Sequence, residues 1–219
     1  VDVMMIGMQR AMKFISGEIY HICNKSIASY EIFRNQNNSK RFLDACAYYN
    51  STRKISFSMY IRKEKIFYYS NLIQQTNPQF RILAFCIMPD HYHLLLRLES
   101  SPNVSEYLGR IENSYSRYYN VQNNRKGPLW QSTFRATHIA NNEQLIHVIR
   151  YIHLNPVTAG YVTNPRYWSF SSHHYYLDQE VLDSLRVVSI KSTTAYERFI
   201  LNNIDYQKKL IAIRKLLKD

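Results

Sequence analysis

The chain is poor in the residues that loosen or staple a protein. Five glycines and six prolines in 219 residues leave little room for long flexible linkers. Its three cysteines, Cys23, Cys46 and Cys86, are far apart and form no CxxC pair, which argues against a disulfide framework and for buried, reduced thiols. No apolar run approaches the roughly 20 residues needed to cross a bilayer. The apolar opening, residues 1–10, lacks the charged lead and cleavage site of a signal peptide, so a cytoplasmic protein without membrane association is expected. Acidic residues are scarce too. Sixteen Asp and Glu stand against 28 Lys and Arg, a formal net charge of +12 that suits a polyanionic partner such as nucleic acid. Aromatics are abundant, with 19 Tyr and 10 Phe, and these can stack on unpaired bases or simply fill a core.

Hydrophobic periodicity divides the chain into alternating element types. Residues 18–27 alternate as a strand, and residues 39–49 have helical spacing with Ser39 as the expected N-cap. Residues 55–72 are read as helix. The apolar run 81–87, the turn Met88-Pro89-Asp90 and the run 91–98 form a hairpin. A helix is expected over 104–120 and a strand over 134–140. Another helix, capped by Asn141 or Asn142, should run over 143–154 and stop at Asn155-Pro156. A last basic helix is expected over 194–217. The order predicts an α+β fold, a ferredoxin-like (split β-α-β) antiparallel sheet with helices on one face. Residues 1–180 would form the main domain and residues 181–219 a basic helical extension.

Three features carry chemistry. In His91-Tyr92-His93 the two imidazoles share one strand face, about 6.6 Å apart, and can converge on one divalent cation. Mg²⁺ and Mn²⁺ would need further oxygen ligands, while an all-histidine zinc site would draw on His147, His153, His173 or His174. On the helix after the last strand, His147, Tyr151 and Asn155 fall on one polar stripe opposite Leu145, Ile149 and Ile152. A phenol in such a stripe can attack phosphorus when a metal offsets the developing charge, or it can be an ordinary interfacial tyrosine. The stretch 106–138 combines Arg110, Arg117, Arg125, Lys126 and Arg135 with several tyrosines and Trp130. Basic groups follow phosphates while rings stack bases, although Tyr115 and Tyr119 could equally be the buried face of a helix. Arg150, beside Tyr151, joins these as an expected DNA contact.

Three stretches in one register resemble a known family. MPDHYHLLL at 88–96 is similar to the HUH motif of single-tyrosine HUH transposases. GPLWQSTFRA at 127–136 and YIHLNPVTAGYV at 151–162, with WSFSS at 168–172, resemble the REP-associated tyrosine transposase branch. The resemblance implies dependence on Mg²⁺ or Mn²⁺ and transesterification of hairpin-associated single-stranded DNA through a 5′-phosphotyrosine link. It matches His91 and His93 to the metal pair and Tyr151 to the nucleophile. Asn155 falls where relatives place a polar metal ligand, often Gln. Asp90, where the family often has Asn, would tighten the turn or bring a carboxylate near the metal. Monomeric and homodimeric arrangements both occur among such relatives. A relative that binds structured single-stranded DNA or RNA without cutting it, and a zinc-dependent phosphodiesterase, remain alternatives.

Overall fold

The computed structural model describes residues 12–51, 55–64, 72–75, 78–99, 103–185 and 188–209. The opening segment 1–10, much of the stretch after 64 in the expected 55–72 helix, and the chain end beyond 209 lie outside these residues. The described order is β1 (Ile19–Lys25), α1 (Gln36–Tyr49), α2 (Phe57–Glu64), β2 (Phe80–Ile87), β3 (His91–Leu98), α3 (Val104–Gln122), β4 (Arg135–Ile139), α4 (Asn142–Thr158), α5 (Gln179–Ser184) and α6 (Thr193–Leu201). The four strands form one sheet in the order β2-β3-β1-β4, and every neighbouring pair is antiparallel. This is the α+β, split β-α-β arrangement, with α2 added between α1 and β2.

Alternation along β1 and β3 gives the sheet two different faces. Tyr20, Ile22, Tyr92, Leu94 and Leu96 point to one side, where α1 and α3 cover them. Phe42 of α1 lies 4.8 Å from the Tyr92 ring, and Tyr107 of α3 stacks on Phe80 at 4.4 Å, centroid to centroid. Tyr107 and Tyr115 are buried on this side, with hydroxyls donated to the Cys46 and Ile32 carbonyls. The other face is shared by α4 and the 3₁₀ turn Ser172–Leu177, which pack on β2. That double cover explains why β2 reads as an unbroken apolar run rather than an alternating one.

β2 is an edge strand, and the WSFSS segment closes it. Ile87 N–H donates to the Phe170 carbonyl, Phe85 N–H to Ser172 Oγ, and the Trp168 indole to the Ile87 carbonyl. The exposed row of backbone groups that would otherwise invite another strand is thus satisfied.

Two helix boundaries differ from expectation. α1 begins at Gln36, capped by the Asn35 side chain, while Ser39 lies inside the helix with its hydroxyl donated to Phe33 O. α4 does not stop before Pro156 but continues to Thr158. Proline removes its own N–H from the ladder and crowds the carbonyl of Ile152, but Leu154 and Val157 on either side of it are buried. Ala159 N–H then closes on Asn155 O, and Tyr161 N–H on Pro156 O. The expected long C-terminal helix is also broken. α6 ends at Leu201, Asn202 and Asn203 turn, and residues 204–209 are helical again. Tyr196 and Ile200 of α6 belong to the same buried core as the sheet. Among the described residues no helix is long and apolar enough to cross a membrane.

Behind the histidine strand a polar triangle ties three elements together. Tyr92 Oη donates to Glu112 Oε1 at 2.6 Å, and Asn24 Nδ2 donates to the same oxygen at 2.8 Å. Burial raises the Glu112 carboxyl above its ordinary range, against the lowering effect of those two bonds. Glu112→Gln keeps one oxygen to accept both donors and exchanges the other for an amide NH2, so its melting temperature at pH 7 should stay close to that of the parent. Glu112→Ala orphans both donors and should cost about 2–4 kcal/mol. Thermal melts of the two variants measure the difference. Equal losses would show that the hydrogen bonds contribute nothing.

Candidate active site

The site starts from strand register. β3 lies between β2 and β1, so His93 has Cys86 on one side and Cys23 on the other, and Cys23 in turn pairs with Arg135 of β4. His91 sits opposite Lys25 on the same face. The face that α1 and α3 leave uncovered therefore carries the two imidazoles of the motif, two thiols and a guanidinium in neighbouring positions.

Each histidine is held through Nδ1. His91 Nδ1 is 2.5 Å from Asp90 Oδ1, and Asp90 Oδ2 is 3.1 Å from Lys25 Nζ. Burial alone would raise the Asp90 carboxyl, but its bonds and charge interactions with His91 and Lys25 outweigh that and hold it at about 2. Asp90 thus tightens the turn and orients His91 at once. His93 Nδ1 is 3.0 Å from His21 Nε2. His93 is 5% exposed, and its Nε2 is buried without a hydrogen-bond partner. Burial, then the neighbouring His91 and His21, hold the His93 imidazole well below its ordinary range, so it is neutral at pH 7. The two rings are 5.0 Å apart and perpendicular.

A buried imidazole nitrogen with no partner is costly unless something else accepts its lone pair. A His91 that donates from Nδ1 to a carboxylate leaves Nε2 as a ligand atom, the usual arrangement around metal-bound imidazole. The residues present therefore fit a divalent cation held by His91 and His93. Among the described residues, no group of three or more His, Cys, Asp and Glu side chains gathers as a metal site, so further ligands would be oxygens of other groups, of water or of phosphate.

The histidines proposed for an all-histidine site do not converge here. His147 is exposed at the other end of α4. His153 and His173 are buried in a separate cluster with Ser172, Tyr176 and Tyr196. His153 Nδ1 bonds the Tyr196 hydroxyl, and its Nε2 is 2.7 Å from Ser172 Oγ.

α4 brings Tyr151 to the histidines. Ile149 and Ile152 are fully buried, and His153 ties the helix to α6 and the 3₁₀ turn. Tyr151 lies half-buried, its ring 5.5 Å from His93 and 6.1 Å from His21, edge-on to both. The stripe expected on α4 slopes from solvent into the interior: His147 is exposed, Tyr151 half-buried and Asn155 buried. Asn155 Nδ2 donates to the Tyr151 carbonyl at 2.9 Å, so its nitrogen is committed to its own helix.

The basic and aromatic positions divide. Arg135 is exposed on the histidine face. Arg110 and Arg117 are exposed on α3, across the sheet from the histidines, and Lys126 is exposed in the loop after it. Arg125 donates to the Gly127 and Pro128 carbonyls and shapes that loop. Trp130 is packed among Phe33, Phe42, Tyr92 and Tyr115, with its indole donated to Glu112 O. Arg150 is 9% exposed, with its guanidinium 4.8 Å over Phe199 of α6. Those last two side chains hold the fold together where composition suggested contact with a polyanion.

His21 is the residue that local sequence reading misses. Its signal is a third imidazole on a strand, out of phase with Tyr20 and Ile22. Its meaning depends on the β1–β3 register, which no local pattern supplies.

The family model described as Transposase IS200 like matches residues 19–155, from β1 to the Asn155 turn of α4. A putative REP-associated tyrosine transposase of Haemophilus influenzae is 31% identical over 112 residues, covering 47% of this chain and 64% of that protein. A REP-associated tyrosine transposase of Escherichia coli is 29% identical over 96 residues, covering 43% and 55%. The chain thus spans less than two thirds of the length of these curated relatives. A solved REP-associated tyrosine transposase bound to a REP hairpin shares the fold, with TM-score 0.57 and 17% identity over 78% of this chain and 86% of that one.

Proposed function

The chain belongs to the IS200-like transposase family, and from that premise we propose that it nicks and rejoins hairpin-associated single-stranded DNA through a 5′-phosphotyrosine intermediate on Tyr151. The observation that carries this reading is the position of the Tyr151 ring, 5.5 Å from His93 on the sheet face that presents both histidines. A phenol beside two ligand-ready imidazoles is an arrangement for phosphoryl transfer rather than for packing alone.

In the first step the Tyr151 phenol gives up its proton to solvent and its oxygen attacks the scissile phosphorus. The bond to the 3′ oxygen breaks, that oxygen takes a proton to become a hydroxyl, and the 5′ side stays on the tyrosine. Rejoining reverses the exchange: a 3′ hydroxyl attacks the phosphotyrosine and releases the phenol. One phosphodiester replaces another, so no ATP is consumed. A Mg²⁺ or Mn²⁺ ion held by His91, His93 and Asn155 would supply positive charge to the phosphate oxygens. Asp90 and His21 keep the two imidazoles aimed, and the seat of α4 keeps Tyr151 beside them.

We assign the +12 net charge to the DNA, with Arg135 nearest the site and Arg110, Arg117 and Lys126 following more distant phosphates. The 31% identical relative supports the REP-associated branch, and the solved relative bound to a REP hairpin supports hairpin DNA as the partner.

The test is a labelled hairpin oligonucleotide with single-stranded flanks, incubated with the protein and Mn²⁺ and resolved on a denaturing gel. A protein-linked band that disappears with EDTA is the expected result. Cleavage without a linked band would replace this reading with a phosphodiesterase, and retention of the hairpin without cleavage would replace it with a binding module.

A further inference from the structure

We propose that His21 is a positioning residue for the metal site: it accepts the Nδ1 proton of His93 and so fixes the tautomer that leaves His93 Nε2 bare. The inference rests on the metal reading of His91 and His93 given above.

The geometry is specific. His21 Nε2 and His93 Nδ1 are 3.0 Å apart. The two rings are 5.1 Å apart, centroid to centroid, and only 21° from parallel. An N···N separation of 3.0 Å is within the range of an N–H···N hydrogen bond between the two rings. His93 is opposite Cys23, and His21 is two residues away on the same face, so the pair is a diagonal cross-strand contact set by the β1–β3 register.

An N–H···N bond between neutral imidazoles admits two proton placements. If His93 donates, its Nε2 carries a lone pair and can bind a cation. If His21 donates, His93 carries its proton on Nε2, which has no acceptor and is buried. The second arrangement leaves a buried donor that nothing can accept, whereas in the first the bare lone pair is the one a cation would take, so the metal site calls for the first. His91 reaches the same end by another route, its Nδ1 held by Asp90. The two ligands thus have parallel supports, a carboxylate for one and an imidazole for the other. Outer partners of this kind typically change metal affinity about 10–100-fold when removed.

The experiment measures Mn²⁺ binding directly, by the free-ion EPR signal, on the full chain without DNA. His21→Phe keeps ring volume but offers no acceptor, and should weaken Mn²⁺ binding about 10–100-fold. His21→Gln offers a carboxamide oxygen and should recover most of the affinity. His93→Ala should abolish binding. Long-range ¹H–¹⁵N spectra of the parent protein should show His93 protonated at Nδ1 and bare at Nε2, a readout independent of whether any variant folds. Parent-like Mn²⁺ affinity in a folded His21→Phe, or a His93 proton on Nε2, would overturn the role of His21 while leaving the metal site standing. Equal Mn²⁺ binding by the parent and His93→Ala would remove the metal reading itself, and this proposal with it.

Discussion

Tyr151→Phe should abolish the protein-linked DNA band and lower strand cleavage by more than about 10³-fold, because only the attacking oxygen is lost. The phenylalanine ring keeps the edge-on contacts with His93 and His21 and the packing of α4 against the core. Hairpin binding and melting temperature should therefore stay close to those of the parent. The same gel, run beside a thermal melt and a binding titration, separates chemistry from folding. A linked band that survives in Tyr151→Phe would mean that another hydroxyl attacks. Loss of binding together with cleavage would mean that the ring itself is part of the DNA surface.

His153→Ala should be the most damaging single change to stability in this region. The imidazole is fully buried and bonds the Tyr196 hydroxyl and Ser172 Oγ, so one side chain joins α4, α6 and the segment that closes the β2 edge. Burial, then the neighbouring His173 and His174, hold it well below its ordinary range, so it is neutral at pH 7 and acts through hydrogen bonds. Truncation leaves a cavity and an orphaned tyrosine hydroxyl, together about 3–5 kcal/mol. For a domain of this size that corresponds to a fall in Tm of roughly 10 °C. His153 is two residues from Tyr151 on the same helix, so linked-band formation at temperatures where the variant remains folded should fall as well. Calorimetry gives the first number. A shift of only a degree or two would show that α4 is seated by its apolar face alone.

How much of this was legible beforehand depends on whether a feature is local. The β2–β3 hairpin is local, and the expected strand 91–98 coincides with β3. The facing of His91 and His93 follows from alternation within one strand. The existence of α4 and the place of Tyr151 on it follow from spacing and an Asn cap. The helix runs past Pro156 because burial of Leu154 and Val157 around the proline offsets the lost bond and the crowding of the Ile152 carbonyl. Asn35 caps α1 because the helix begins one turn earlier than the apolar spacing suggests, which leaves Ser39 inside it with its hydroxyl donated to Phe33 O.

What was not legible is non-local. The His21–His93 contact needs the register of strands about seventy residues apart in the chain. Trp130 and Arg150 resemble polyanion contacts by type, and only packing shows that one lies partly buried against the core beneath β3 and the other over Phe199. The WSFSS segment was visible as a motif, but its task of sealing β2 appears only when the edge strand is known.

The most direct measurement for the whole account is the site of attachment. The linked species formed with Mn²⁺ would be digested with nuclease and trypsin and fragmented by mass spectrometry. Cleavage after Arg150 and Arg166 releases a peptide with two tyrosines, Tyr151 and Tyr161. The account predicts the nucleotide phosphate on Tyr151. Attachment at Tyr161 or on a peptide from α3, or cleaved DNA with no modified peptide at all, would contradict it.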